Sequence, residues 1–131
     1  MNEISKFQYR QKTLQYSYDV QFGFDNDNKI RKSLFINDMP KSVTGPTLNL
    51  ELADEYESFL NELLSSTSIL SWKKVYEPDS IILDGISWEI DLSFDDGCNS
   101  RIVGHNSFPD EFEQLLSLIN KYIGTNFRNE K

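Results

Sequence analysis

The sequence predicts a single α+β domain over residues 1–131. It is an antiparallel sheet of two hairpins, four to six strands in all, with two helices on one face in the order ββ(β)αββα. Three observations carry this. Two stretches alternate apolar and polar residues about short turn-forming runs, the mark of half-buried strands. Two others repeat apolar residues at helical spacing. From Ile81 to Ile123 an apolar strand, a hairpin, a Gly/Asn loop and an amphipathic helix follow one another directly.

Taken in order, Ile4 to Tyr9 is a weak strand with Phe7 and Tyr9 on one face. Leu14, Tyr16, Tyr18, Val20, Phe22 and Phe24 then alternate with mostly polar residues, the cleanest strand pattern in the chain. Asp25 to Asn28 turns it back into Lys29–Ile36. With Asn28 left-handed, Asp25 faces Lys29, Phe24 faces Ile30 and Val20 faces Leu34. Pro40 to Pro46 reads as a loop, and Leu48, Leu50 and Leu52 as a short strand. From Ala53 the period changes. Tyr56, Phe59, Leu60, Leu63 and Leu64 mark a helix with Asp54 and Glu55 in its first turn, stopped by the Ser65–Ser68 run. Ile69 to Tyr76, around Trp72, has no clear period.

In the second hairpin Trp88, Ile90, Leu92 and Phe94 point one way and Ser87, Glu89, Asp91 and Ser93 the other. A two-residue Asp96-Gly97 turn would set Leu92 opposite Arg101. A three-residue loop with Gly97 left-handed pairs Phe94 with Cys98, Ile90 with Ile102, Trp88 with Gly104 and Asp91 with Arg101, which keeps the apolar groups together. That register also turns Cys98 inward. Pro109, Asp110 and Glu111 form a helix-start signature. Phe112, Leu115, Leu116, Ile119, Tyr122 and Ile123 follow as one stripe, ended by Gly124 at a C-terminal cap.

Composition narrows the function. A chain of this length buries enough surface to fold without staples. One cysteine rules out an internal disulfide framework, and the first residues lack a signal peptide's apolar core. A cytoplasmic protein with no membrane span is therefore expected. The net charge of −8 is uneven: residues 1–41 carry +2, residues 42–120 carry −12 and residues 121–131 carry +2. The central field opposes direct nucleic-acid binding and attracts a basic protein surface.

Catalytic patterns are thin. His105 and Cys98 are one residue of each kind, too few for zinc, and an inward thiol is no nucleophile. Asp25-Asn26-Asp27-Asn28 resembles the start of a calcium loop, but Lys29 takes a ligand position and no glutamate closes it. Glu89 and Asp91 fall on the exposed face, where carboxylates solvate a sheet. No phosphate loop, nucleophile elbow or dinucleotide fingerprint is present.

Asp84-Gly85-Ile86-Ser87-Trp88, Phe94-Asp95-Asp96-Gly97, and Gly104-His105-Asn106-Ser107-Phe108-Pro109 with Phe112 form a signature. It is similar to one in small bacterial and phage proteins of unknown function, and it spans about the last third of the chain. The resemblance implies the same hairpin, loop and helix in a bacterial or phage setting, and no activity.

The expected function is a non-enzymatic interaction module, in the manner of an immunity protein, an antitoxin or a nucleic-acid-mimicking inhibitor. Glu77, Asp79, Glu89, Asp91, Asp95 and Asp96 are the expected contacts to a basic partner such as a nuclease or toxin. No cofactor or metal is expected. Two alternatives stand beside it: a small hydrolase or ligand-binding enzyme using Asp84, Glu89 and His105, and a structural subunit dimerising through its sheet edge.

Overall fold

The computed structural model describes residues 3–45, 51–78 and 85–127, and its centre is β1 (Ile4–Lys12). β2 (Ser17–Phe24), β3 (Ile30–Ile36) and β4 (Met39–Lys41) extend the sheet to one side. β6 (Ser87–Phe94), β7 (Asn99–His105) and β5 (Val75–Tyr76) extend it to the other. The order β4-β3-β2-β1-β6-β7-β5 makes seven strands rather than four to six. All pairs are antiparallel except β5 with β7, so the sheet is mixed. Helices α1 (Leu52–Ser66) and α2 (Phe112–Ile123) lie on one face, an α+β architecture.

Both hairpin registers agree with the alternation. Phe24 faces Ile30, Val20 faces Leu34, and the Asn28 backbone is left-handed (φ 61°). Trp88 faces Gly104, Ile90 faces Ile102, Asp91 faces Arg101, and Gly97 supplies the left-handed loop position (φ 89°). Cys98 is the exception on that hairpin. It is exposed, because it belongs to the loop end of the ribbon, one residue before β7 begins, where its N–H is held by Asp96.

The other departures come from pairing and packing that no local pattern encodes. The weak amino-terminal segment is the central strand, and Phe7 and Tyr9 are fully buried between β2 and β6. The strong alternation that begins at Leu14 overruns its strand. Thr13 Oγ1 accepts the Gln15 and Tyr16 N–H groups in a turn, and Leu14 stands in solvent. The expected 40–46 loop contains β4 at its start, because Asn37 and Asp38 (φ 52° and 65°) make the two-residue turn that a tight hairpin needs. Leu52 opens α1 instead of closing a strand; Leu48 and Leu50, like 81–84, lie outside the described residues.

One core joins the inward faces of β1, β2, β3, β6 and β7 to both helices. Phe59 of α1 meets Phe7 at 5.1 Å and Tyr122 of α2 at 5.4 Å, and Phe112 of α2 meets Trp88 at 4.7 Å between ring centres. The unperiodic 69–76 segment belongs to this core. A 3-10 turn (Ile69–Ser71) buries Ile69, and Trp72 and Tyr76 follow it inward.

Glu111 holds that segment in place. Instead of lying inside the first turn of α2, it precedes the helix as its cap residue. Its Oε1 accepts the Ser68 N–H at 2.8 Å, the Ser68 hydroxyl at 2.7 Å and the Trp72 indole N–H at 2.9 Å. These donors, the Ser68 hydroxyl first, hold its carboxyl below the usual glutamate value. A depressed folded value stabilises above the unfolded one, and that contribution is lost as pH falls through the folded value. Wild type is therefore expected to exceed Glu111→Gln in stability by a constant margin above pH 4.5, with the margin closing below it. Urea titrations of both proteins across that range check this, and a margin independent of pH rejects it.

Candidate functional site

The second face of the sheet carries no helix among the described residues, and strand register decides which charges meet there. Arg10 of β1 lies opposite Asp19 of β2 and Glu89 of β6, and Asp91 lies opposite Arg101 of β7. Arg10 Nη1 reaches Glu89 Oε2 at 2.6 Å, and its Nη2 reaches Asp91 Oδ2 at 3.2 Å. Arg101 Nη2 holds Glu89 Oε1 from the other side. Asp19 Oδ1 accepts the Gln8 and Gln21 amides at 3.0 and 3.5 Å. Glu89 and Asp91 do face outward, as alternation requires, but two guanidiniums neutralise much of their charge.

The remaining expected contacts divide between the two ends of the sheet. Asp95 and Asp96 sit in the exposed β6–β7 loop, and Asp96 Oδ1 accepts the Cys98 N–H at 2.9 Å. Glu77 is exposed just beyond β5, which runs parallel to β7 and so places it at the His105 end. The length of β7 separates these groups by roughly 20 Å. Asp79 and Asp84 lie outside the described residues.

Glu89 and His105 share the outward face on neighbouring strands. His105 Nδ1 is 2.8 Å from the Ser87 hydroxyl directly across the ladder, and Glu89 is committed to its two arginines. The Asp96 carboxylate, by hydrogen bond and by charge, pushes the Cys98 thiol up. An activated nucleophile needs the opposite shift. No group of three metal-ligating side chains occurs among the described residues, and none of their helices is long and apolar enough to cross a membrane.

Pairing of β1 with β6 gathers more acid than the sequence pattern indicated. It brings the start of β1, the β2–β3 loop and the β6–β7 loop to one end of the sheet. Glu3, Asp25, Asp27, Asp95 and Asp96 collect there. Arg31 engages Asp25 at 2.8 Å and Asp27 at 2.6 Å, and Lys6 lies 3.7 Å from Asp25. The Arg31 guanidinium holds the Asp27 carboxyl below its ordinary value. The Asp95 N–H donates to the Glu3 carbonyl at 2.9 Å, tying the loop to the chain's beginning. Phe24, 40% exposed, stands at this end, two strand spacings or about 10 Å from β6.

Compared with protein-family models, curated proteins and solved structures, the chain matches none of them.

Proposed function

We propose that this protein is a non-enzymatic interaction module whose acidic end engages a basic protein surface, as an immunity protein, antitoxin or nucleic-acid mimic does. The observation that carries the reading is the convergence of Glu3, Asp95 and Asp96 with Asp25 and Asp27 beside the exposed Phe24 ring. An aromatic anchor with a charged rim is the anatomy of a binding surface: the ring supplies desolvation energy and the carboxylates speed encounter and select partners. Asp95 and Asp96 are the central contacts. Glu89 and Asp91, held by Arg10 and Arg101, lie outside the patch. On this reading the partner is a basic nuclease or toxin, the kind of protein that the resemblance to bacterial and phage proteins and the single thiol would suit.

The test is affinity capture from native lysate at about 0.05 and 0.5 M salt, where the screening length falls severalfold. Wild type retains a basic protein at low salt and releases it at high salt; Asp95→Lys with Asp96→Lys retains none. Undiminished capture by the double variant rejects this surface.

A further inference from the structure

We propose that the face of the sheet that carries no helix among the described residues is a self-association surface, and that its occupant is a second copy of this chain related by a two-fold axis. The inference rests on a different row of charges from the acidic end, whose Asp95 and Asp96 lie in the β6–β7 loop beyond the strands. Across the face, Asp19 on β2, Arg10 on β1 and Glu89 on β6 share one row, and Arg101 of β7, two residues along from Val103 in that row, brings its guanidinium to Glu89, so that the charges alternate strand by strand. An alternating pattern with an even number of members is its own complement when turned over. A two-fold axis parallel to the strands, between β1 and β6, lays β1 over the partner's β6, β2 over its β7 and β3 over its β5.

Each charge then meets its opposite, and each contact occurs twice, as an isologous interface demands. Arg10 faces the partner's Glu89. Asp19 faces the partner's Arg101, whose guanidinium reaches out of its own register position to pair with Glu89 and so stands in the row that holds Asp19 and Arg10. At both flanks the same row ends in apolar groups. Phe35 of β3, opposite Asp19, comes over the partner's Val75, which is 52% exposed on the short edge strand. Sheets stacked face to face lie about 10 Å apart, which leaves room for arginine-length side chains.

The groups are available for this. The Arg10 and Arg101 side chains are 40% and 64% exposed, and hydrogen bonds from the two glutamines use Asp19 Oδ1 alone. Because Glu89 is already flanked by cations within its own chain, closing the interface strands no isolated charge. Seven strands at their usual spacing give a face of roughly 600 Å² per copy, near the lower limit for a specific interface. A weak dimer sensitive to salt is the expectation.

Sedimentation velocity and light scattering test it. At about 0.05 M salt, raising the concentration should take the mass from 15.3 kDa toward twice that value, and about 0.5 M salt should reverse the change. Asp19→Arg sets arginine against arginine across the axis, and Arg101→Glu sets glutamate against aspartate. Each variant alone should dimerise roughly ten-fold or more weakly. Mixed one to one, the two should recover dimers, because a mixed pair restores opposite charges at both contacts. Circular dichroism confirms that each variant is folded. Should either fail to fold, Val75→Lys at the exposed edge removes the apolar flank and should also weaken dimerisation. A wild type that stays monomeric at low salt and high concentration, a dimer indifferent to these substitutions, or folded single variants that do not associate on mixing would overturn the proposal.

Discussion

Lys32→Met should lower the unfolding free energy by about 3–5 kcal/mol, a large part of the ~5–15 kcal/mol that holds a domain of this size. Lys32 occupies an inward position of β3, between Ile30 and Leu34 in the alternation. Its Nζ donates to Glu55 Oε2 at 2.7 Å and to the Tyr122 carbonyl at 3.0 Å, and it lies 5.7 Å from the centre of the Phe22 ring. The two charged side chains are 7% and 2% exposed. One ammonium therefore ties β3 to α1 and satisfies a carbonyl in the last turn of α2, where the helix dipole favours a cation. Methionine keeps most of the volume but leaves the Glu55 carboxylate buried without its cation, and that stranded charge is the source of the loss. Adding Glu55→Leu removes the charge, so the double variant should regain most of the stability even though the ion pair is gone. Urea midpoints at unchanged slope measure both effects. A single variant within about 1 kcal/mol of wild type, or a double variant no better than the single, counts against this account.

Trp88→Ala should cost a comparable amount, about 3–5 kcal/mol. The Trp88 indole is 2% exposed and packs 4.7 Å from the Phe112 ring centre and 5.7 Å from that of Tyr76, and its N–H donates to the Ser107 carbonyl at 2.9 Å. It thus joins β6, β5, the loop before α2 and α2 itself. Gly104 lies directly opposite on β7, and a Cβ there would overlap the indole. Gly104→Ala should therefore destabilise the wild-type protein by roughly 1–3 kcal/mol through overpacking. In the Trp88→Ala background, where the indole is absent, the same substitution should be nearly neutral. Thermal melts of the four proteins form the cycle. Equal effects of Gly104→Ala in both backgrounds would show that the glycine is not there for the tryptophan.

These two residues differ in how visible they were. Trp88 lies on a strand whose alternation and turn length fix both its direction and its partner, so the hairpin register is legible from about twenty consecutive residues. Lys32 occupies an inward position in an equally legible register, yet its acceptors are 23 and 90 residues away, and nothing local distinguishes it from a solvated lysine. The same holds for Glu111, which has the composition of a helix start and serves to dock a turn 39–43 residues earlier. β1 is the sharpest case. Its register shift between Ile4 and Lys6 breaks the alternation, and its inward Gln11 is polar, buried through a bond from the Tyr9 hydroxyl at 2.6 Å. Its place at the centre is set by backbone pairing with β2 and β6 on both edges, which the apolar pattern of its own residues does not encode.

The candidate surface divides in the same way. Asp95 and Asp96 are legible as a loop tip because the turn is local. That their loop shares an end with Glu3, Asp25 and Asp27 follows from β1–β6 pairing, whose partners lie some eighty residues apart in the chain. Glu89 and Asp91 look like free acid in a segment with few bases; Arg101 is local, but Arg10, which engages both carboxylates, lies about eighty residues earlier in the sequence.

Sequence alone thus determined the α+β class, the registers of the two hairpins, the inward face of α2 and its glycine cap, whereas α1 leaves Leu64 exposed and buries Glu55. Each depends on steric and solvation preferences that act over a few residues. Tertiary structure alone decided which strand is central, which cations meet Glu89 and Asp91, and that the acidic loops converge at one end of the sheet. Coulomb attraction and hydrogen bonding act through distances in space, and those distances were set only when the first strand paired with the sixth.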